Sequence, residues 1–256
     1  MKVASWNVNS LRVRLPQVLR WLQDELPDVL GLQETKLQNP DFPRDELETA
    51  GYRLLFNGQK TYNGVALLSR LEPADVVTDI PGLEDDPQRR VVGATIGDIR
   101  VLNLYVPNGQ AVGSEKFAYK LRWLSAVKKF LAGELAHSPK MLVMGDFNIA
   151  PEDRDVYDPQ AWDGQVLVSD AERTALREIM ALGLQDCFRL FPQEDNNFSW
   201  WDYRAAAFPR NHGLRIDLIL ASARMAEQCK AAAIDKEPRD WDRPSDHAPV
   251  TADFQV

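Results

Sequence analysis

The stretch Lys140-Met141-Leu142-Val143-Met144-Gly145-Asp146-Phe147-Asn148 decides how the chain is read. Its apolar run is too short for a helix and reads as a strand that stops at Gly145-Asp146. Asp146 and Asn148 therefore stand just past the strand's carboxyl end. The same arrangement recurs in both directions along the chain. Asn7 follows Val3-Ala4-Ser5-Trp6, Glu34 follows Val29-Leu30-Gly31-Leu32-Gln33, and Tyr105 ends Val101-Leu102-Asn103-Leu104. Downstream, Asp217 interrupts Leu214-Arg215-Ile216-Asp217-Leu218-Ile219-Leu220, and Asp246-His247 precede Ala248-Pro249-Val250. Strand ends along one rim of a sheet can converge on a single cleft.

Helical patterns run between these strands. Leu15, Val18, Leu19 and Leu22, with Leu26 on the same face, predict a helix over 15–26. Ser114 caps a second helix with Phe117, Leu121, Leu124, Leu131 and Leu135 on one face, and 171–182 is a third. Strands are expected at 1–8, 28–33, 52–56, 64–69, 91–96, 99–106, 216–221 and 248–254, with Gly97-Asp98 as a two-residue hairpin. Residues 151–168 hold prolines and charges without a period and read as a long irregular loop. No linker or composition break divides the chain, so 1–256 reads as one α/β domain.

The charge balance, 30 basic against 38 acidic residues, gives −8. That argues against a passive phosphate binder, which carries a basic excess, but suits a metal centre that needs carboxylates. Two cysteines, Cys187 and Cys229, form neither a disulfide framework nor a thiolate zinc site. No apolar run approaches the roughly 18 residues of a membrane span. The opening MKVASWNVNSLRVR lacks an apolar signal core. A monomer in a reducing cytoplasm is the expectation.

Taken singly, a carboxylate at a strand end is ordinarily solvated or caps a turn. Asp217 differs, because an unpaired carboxylate inside an apolar strand is costly and needs a partner or a role. Among the histidines, His137 ends a helix, His212 reads as a loop residue, and His247 is best placed for chemistry.

The set is more specific than its members. Trp6-Asn7-Val8-Asn9, Leu32-Gln33-Glu34-Thr35-Lys36, Leu104-Tyr105-Val106-Pro107-Asn108-Gly109, Gly145-Asp146-Phe147-Asn148-Ile149-Ala150, Arg215-Ile216-Asp217 and Ser245-Asp246-His247 resemble, in this order, the exonuclease III family of the endonuclease/exonuclease/phosphatase superfamily. The likeness runs from Lys2 to Phe254, and Phe198–Arg204 resembles a segment of its DNA-repair branch. The resemblance implies a four-layer α/β sandwich of two mixed sheets face to face with helices outside. It implies Mg²⁺-dependent phosphodiester hydrolysis, with Mn²⁺ as the expected substitute. The implied substrate is double-stranded DNA with abasic sites or blocked or recessed 3′ ends.

By the same resemblance Glu34 is the direct metal ligand, with Asn7 beside it and Asp246 as a further metal residue. Asp146 takes the proton of the attacking water and Asn148 orients that water. His247, held by Asp246, and Tyr105 offset charge on the phosphoryl oxygens. Asp217 sits near the leaving oxygen or in a second metal site. Lys36 and Asn108 contact phosphate, and Trp200, Leu214 and Ile216 line a pocket for a flipped-out abasic sugar, which an apolar wall suits.

The chain departs from the family's best-known bacterial member after Tyr105 and over 151–168. The second loop carries Glu152, Asp153, Asp155, Asp158 and Asp163. Facing a duplex, they would repel phosphates and favour 3′-end processing over internal incision. Two other classes remain at this level: a superfamily relative acting on lipid or inositol phosphates, and a non-catalytic binding module. The Trp200–Arg204 segment and Leu214-Arg215-Ile216-Asp217 disfavour the first, and the complete constellation disfavours the second.

Overall fold

The computed structural model describes residues 1–256. Twelve strands form two six-stranded sheets. The first holds β1 (Lys2–Asn7), β2 (Val29–Gln33), β3 (Arg53–Asn57), β4 (Val65–Ser69), β11 (Cys229–Ile234) and β12 (Val250–Phe254), in the order β11-β12-β1-β2-β4-β3. The second holds β5 (Pro73–Val77), β6 (Val91–Ile96), β7 (Ile99–Tyr105), β8 (Met141–Asp146), β9 (Leu184–Asp186) and β10 (Asp217–Ser222), in the order β5-β6-β7-β8-β10-β9. Each sheet is mixed. β1 and β2 run parallel, as do β7 and β8, and the other pairs are antiparallel.

A parallel pair needs a crossover, and a helix supplies each one. Helix α1 (Leu11–Glu25) joins β1 to β2. After α2 (Arg44–Thr49), the long α3 (Glu115–His137) joins β7 to β8. The remaining helices are α4 (Pro159–Trp162), α5 (Asp170–Met180) and α6 (Ala223–Ala226). No helix is long and apolar enough to cross a membrane.

Strand alternation produces the layers. In β8, Leu142 and Met144 face the other sheet, while Met141 and Val143 face the helices. In β1, Val3 points between the sheets and Ala4 and Trp6 point outward. The inter-sheet core thus joins Val3, Val29 and Val65 to Val92, Val101 and Met144. Trp123, Val127, Leu131, Leu176 and Ile179 of α3 and α5 cover the second sheet, and Val18, Trp21 and Leu22 of α1 cover the first. The result is the four-layer α/β sandwich.

Most expected elements lie within two or three residues of their observed bounds. Helix α1 begins at Leu11 instead of residue 15, with Pro16 inside it. Two of its otherwise orphaned early N–H groups are satisfied from outside the helix. Ser10 and Leu11 donate to the carbonyls of Glu34 and Thr35 at 2.8 and 3.0 Å. Ser114 does cap α3, accepting from the Phe117 N–H at 3.1 Å. The 151–168 loop contains a 3₁₀ turn at Asp153–Asp155 and the short α4. Gly145 is required where β8 meets β7: a Cβ there would lie 1.8 Å from the Leu104 carbonyl oxygen.

Candidate active site

The carboxyl ends of β1, β2, β7 and β8 point the same way, and β10 begins beside them. Register fixes the neighbours: Asn7 lies opposite Gln33, and Asp146 lies between Tyr105 and Asp217. Glu34 and Asn148, one and two residues past their strands, have φ of 51° and 49°. This left-handed backbone costs a non-glycine residue about 1–2 kcal/mol, and such strain concentrates at functional sites.

Asp146 is the hub. Its Oδ1 accepts the Asn148 N–H at 2.8 Å, and its Oδ2 accepts Asn7 Nδ2 at 2.9 Å and Asn148 Nδ2 at 3.1 Å. Asn7 Nδ2 also donates to Glu34 Oε1 at 3.0 Å, so one amide bridges two carboxylates. Lys36 Nζ stands 3.0 Å from Glu34 Oε2 and bonds Asn9 Oδ1. Asn108 Nδ2 donates to Asn148 Oδ1 at 3.1 Å. Tyr105 is 8% exposed, with the Arg90 guanidinium 4.6 Å from its ring centre.

His247 occupies the far side. Its Nδ1 lies 2.9 Å from Asp217 Oδ2, and its Nε2 lies 3.8 Å from Asp146 Oδ2. Ser199 Oγ donates to Asp217 Oδ2 at 2.6 Å and accepts the Ile216 and Asp217 N–H groups at 3.1 and 3.0 Å. The costly carboxylate in the apolar strand therefore has two partners.

This corrects one expectation. Asp246 does not hold His247. Its oxygens accept Asn9 Nδ2 at 2.9 Å and Trp200 Nε1 at 3.0 Å.

The electrostatics follow from burial and neighbours. Burial opposes charge on His247, but Asp217 and Asp146 outweigh it and raise the imidazole to about 10. Burial, with repulsion from Asp217 and Glu34, pushes Asp146 up to about 7 against the pull of His247 and Asn7. Glu34 also meets a burial penalty, yet Lys36, Asn7 and His247 bring it below the usual carboxylate range. Burial and the Glu34 carboxylate raise the Tyr105 phenol well above its ordinary value.

Glu34, Asp146 and His247 bring candidate ligand atoms within 4.8 Å of one another. The two carboxylates are hard oxygen donors that fit Mg²⁺ or Mn²⁺. His247 fits poorly as a ligand, because a protonated imidazole has no lone pair to give. The expected metal residues Asn7 and Asp246 lie beside this cluster and not in it. Asn7 turns its nitrogen to the carboxylates while Oδ1 accepts the Asn9 N–H at 2.9 Å, and the oxygens of Asp246 are already engaged.

The expected pocket residues split. Trp200 is half-buried, whereas Leu214 and Ile216 are at 0% and 1% exposure, packed with Ala150, Val156, Leu167 and Val168. They form the floor under Trp200, not an open wall. Four of the five loop acids have partners within the chain. Asp155 is fully buried against Arg215 and Arg189, Asp153 pairs with Arg173 at 2.7 Å, Glu152 pairs with Arg154 at 2.6 Å, and Asp158 caps α4. Ser199 and Asn9 fall within the sequence motifs but carry no expected role. Their function depends on contacts with residues 18 and 237 positions away, which no local signal shows.

Paired carboxylates, amides and a charged imidazole on the rim of a four-layer sandwich define a hydrolase centre built for a phosphate ester. The chain belongs to the Endonuclease/Exonuclease/phosphatase family, whose model matches residues 4–247. It is 37% identical over 267 residues to Exodeoxyribonuclease III of Haemophilus influenzae, across 100% of both chains. The structure of the 3′ phosphatase NExo from Neisseria bound to a product DNA hairpin superposes with a TM-score of 0.98 at 48% identity, over 100% of both chains. An AP endonuclease from Archaeoglobus fulgidus superposes at 0.95 with 38% identity, again over 100% of both. The family and the α/β sandwich expected from the motifs both stand, and the chain is a nuclease-type hydrolase.

Proposed function

We propose that the chain is a Mg²⁺-dependent DNA-repair nuclease. It acts on double-stranded DNA as a 3′–5′ exodeoxyribonuclease and 3′-phosphatase and as an apurinic/apyrimidinic endonuclease. The substrates are abasic sites and blocked or recessed 3′ ends, and Mn²⁺ substitutes for Mg²⁺. The working form is a monomer in the cytoplasm, a compartment that suits two free cysteines. The relatives' names supply the DNA substrate, and the rim geometry supplies the chemistry.

The carrying observation is Asp146, fixed by three hydrogen bonds and facing a charged imidazole. A general base works best with a pKa near the operating pH, and Asp146 is raised to about 7. It accepts the proton of a water that attacks phosphorus. Asn148, pinned by Asp146 and Asn108, orients that water. His247, kept charged by Asp217, donates from Nε2 to a phosphoryl oxygen and offsets the negative charge that develops there. The Tyr105 phenol, held protonated by its high pKa, donates likewise. Glu34, with Asn7 beside it and Asp246 as a further metal residue, would hold Mg²⁺, which would supply Lewis-acid polarisation of the phosphate. Lys36 and Asn108 contact flanking phosphates, and the outer face of Trp200, backed by Leu214 and Ile216, would meet a base-less sugar.

The test uses 5′-labelled duplexes carrying a 3′-phosphate, a recessed 3′ end or an abasic analogue, each with Mg²⁺, Mn²⁺ or EDTA. Metal-dependent product from these duplexes is expected. No product from any of them in either metal sinks the reading.

A further inference from the structure

Lys120 and Glu172 form an ion pair at 0% exposure, far too deep to touch substrate. Lys120 lies near the start of α3 and Glu172 in the first turn of α5. The ammonium spends its donors on the Glu172 carboxylate and on two backbone carbonyls, Asn148 O at 2.7 Å and Asn108 O at 3.1 Å. Both carbonyls belong to residues of the active-site rim. Glu172 reaches the other way. Its Oε1 accepts the Leu167 N–H at 3.0 Å, and its Oε2 accepts the Ser169 N–H at 3.2 Å and the Ser169 hydroxyl. Leu167 packs on Leu214 and Ile216, the floor beneath Trp200, and its carbonyl accepts the Ala150 N–H at 2.8 Å. Gly109, at φ 93°, leaves room for the lysine stem: a Cβ there would lie 3.1 Å from Lys120 Cδ.

We propose that Lys120 and Glu172 are positioning residues: one buried ion pair fastens the Asn108 turn, the Asn148 turn and the 167–169 segment together and so sets the reacting geometry. The inference rests on the nuclease reading above. A buried ion pair is a poor way to gain stability alone, since apolar residues of similar size do as well. What apolar residues cannot do is hold four backbone groups from three separate segments at fixed distances. Asn148 then enters each turnover already oriented, and misplacing such a group by about 1 Å costs on the order of 10²-fold in rate.

The test separates position from stability. Lys120→Met is expected to lower kcat on a 3′-phosphate duplex about 10- to 100-fold with KM little changed, measured well below its own Tm. Its amide signals at Asn148, Leu167 and Ser169 should shift and exchange faster. The double variant Lys120→Met/Glu172→Leu removes the stranded carboxylate, so its Tm should exceed that of Lys120→Met while kcat stays low. Recovery of kcat along with Tm would show a merely structural pair and overturn the proposal. So would a Lys120→Met enzyme with wild-type kcat. If neither variant folds, Glu172→Gln carries the same test, and unchanged kcat with unchanged exchange at Leu167 and Ser169 overturns it. Failure of the wild type to cut any duplex instead defeats the nuclease reading, while the exchange measurement still decides whether the pair holds the three segments.

Discussion

His247 Nδ1 lies 2.9 Å from Asp217 Oδ2, so the imidazole at the rim is held by a carboxylate 30 residues away and not by its chain neighbour Asp246. The pair places a positive charge beside Asp146. Asp217→Asn should lower kcat by roughly 10²–10³, the size of losing a preorganised stabiliser of the transition state. Asp246→Asn should lose much less, since the imidazole keeps its partner. Steady-state rates on a 3′-phosphate duplex decide it, and a larger loss for Asp246→Asn would reverse the assignment.

The charge on His247 can be observed directly. Its pKa is raised from 6.5 to about 10, by Asp217 and Asp146 against burial. A raised folded value stabilises the fold fully below the unfolded value of 6.5, and that contribution is lost as pH rises through about 10. In metal-free protein, ¹⁵N spectra should show the ring doubly protonated throughout the neutral range. In Asp217→Asn the titration should move down. A wild-type ring that deprotonates near 6.5 contradicts the account.

Glu34 stands with Lys36 and Asn7 at a left-handed corner after β2, and its carboxylate is held ionised. Glu34→Ala should bind Mn²⁺ far more weakly by paramagnetic resonance and lose activity at low millimolar Mg²⁺, with the fold unchanged by circular dichroism. Wild-type Mn²⁺ affinity in this variant would remove Glu34 from the metal site.

Asp155 is at 0% exposure and pairs with Arg215, itself at 1%. Breaking a buried pair leaves an uncompensated charge and costs about 3–5 kcal/mol. Asp155→Asn should therefore lower the denaturation midpoint strongly. Neutralising the exposed Glu152, Asp153, Asp158 and Asp163 should leave the ratio of abasic-site incision to 3′-phosphate release unchanged. A shift in that ratio would restore the repulsion model for this loop.

The rim was legible in the sequence because polar residues closing apolar strands are a local pattern, visible at Asn7, Glu34, Tyr105 and Asp146. Partnership was not, because it is settled by register. The resemblance pairs Asp246 with His247, but the β10–β8 register and Ser199 bring Asp217 to the ring instead. The same holds for Asp153 and Asp155, whose arginines lie on α5, in the 3₁₀ turn after β9 and in the segment before β10. Strand β11 escaped notice because Cys229-Lys230-Ala231-Ala232-Ala233-Ile234 shows no clear alternation, and β5 because it is a short, largely exposed edge strand. The start of α1 was hidden by Pro16, which looks like a boundary when read alone.

Asp146 as general base is the central claim, and single-turnover kinetics of Asp146→Asn on a 3′-phosphate duplex test it most directly, with DNA affinity measured alongside in Ca²⁺. The rate should fall by ~10²–10⁴ with duplex affinity little changed, because a proton acceptor acts in the transition state and not in ground-state binding. An Asp146→Asn enzyme that turns over at the wild-type rate, or whose loss is explained by failure to bind the duplex, would contradict the mechanism.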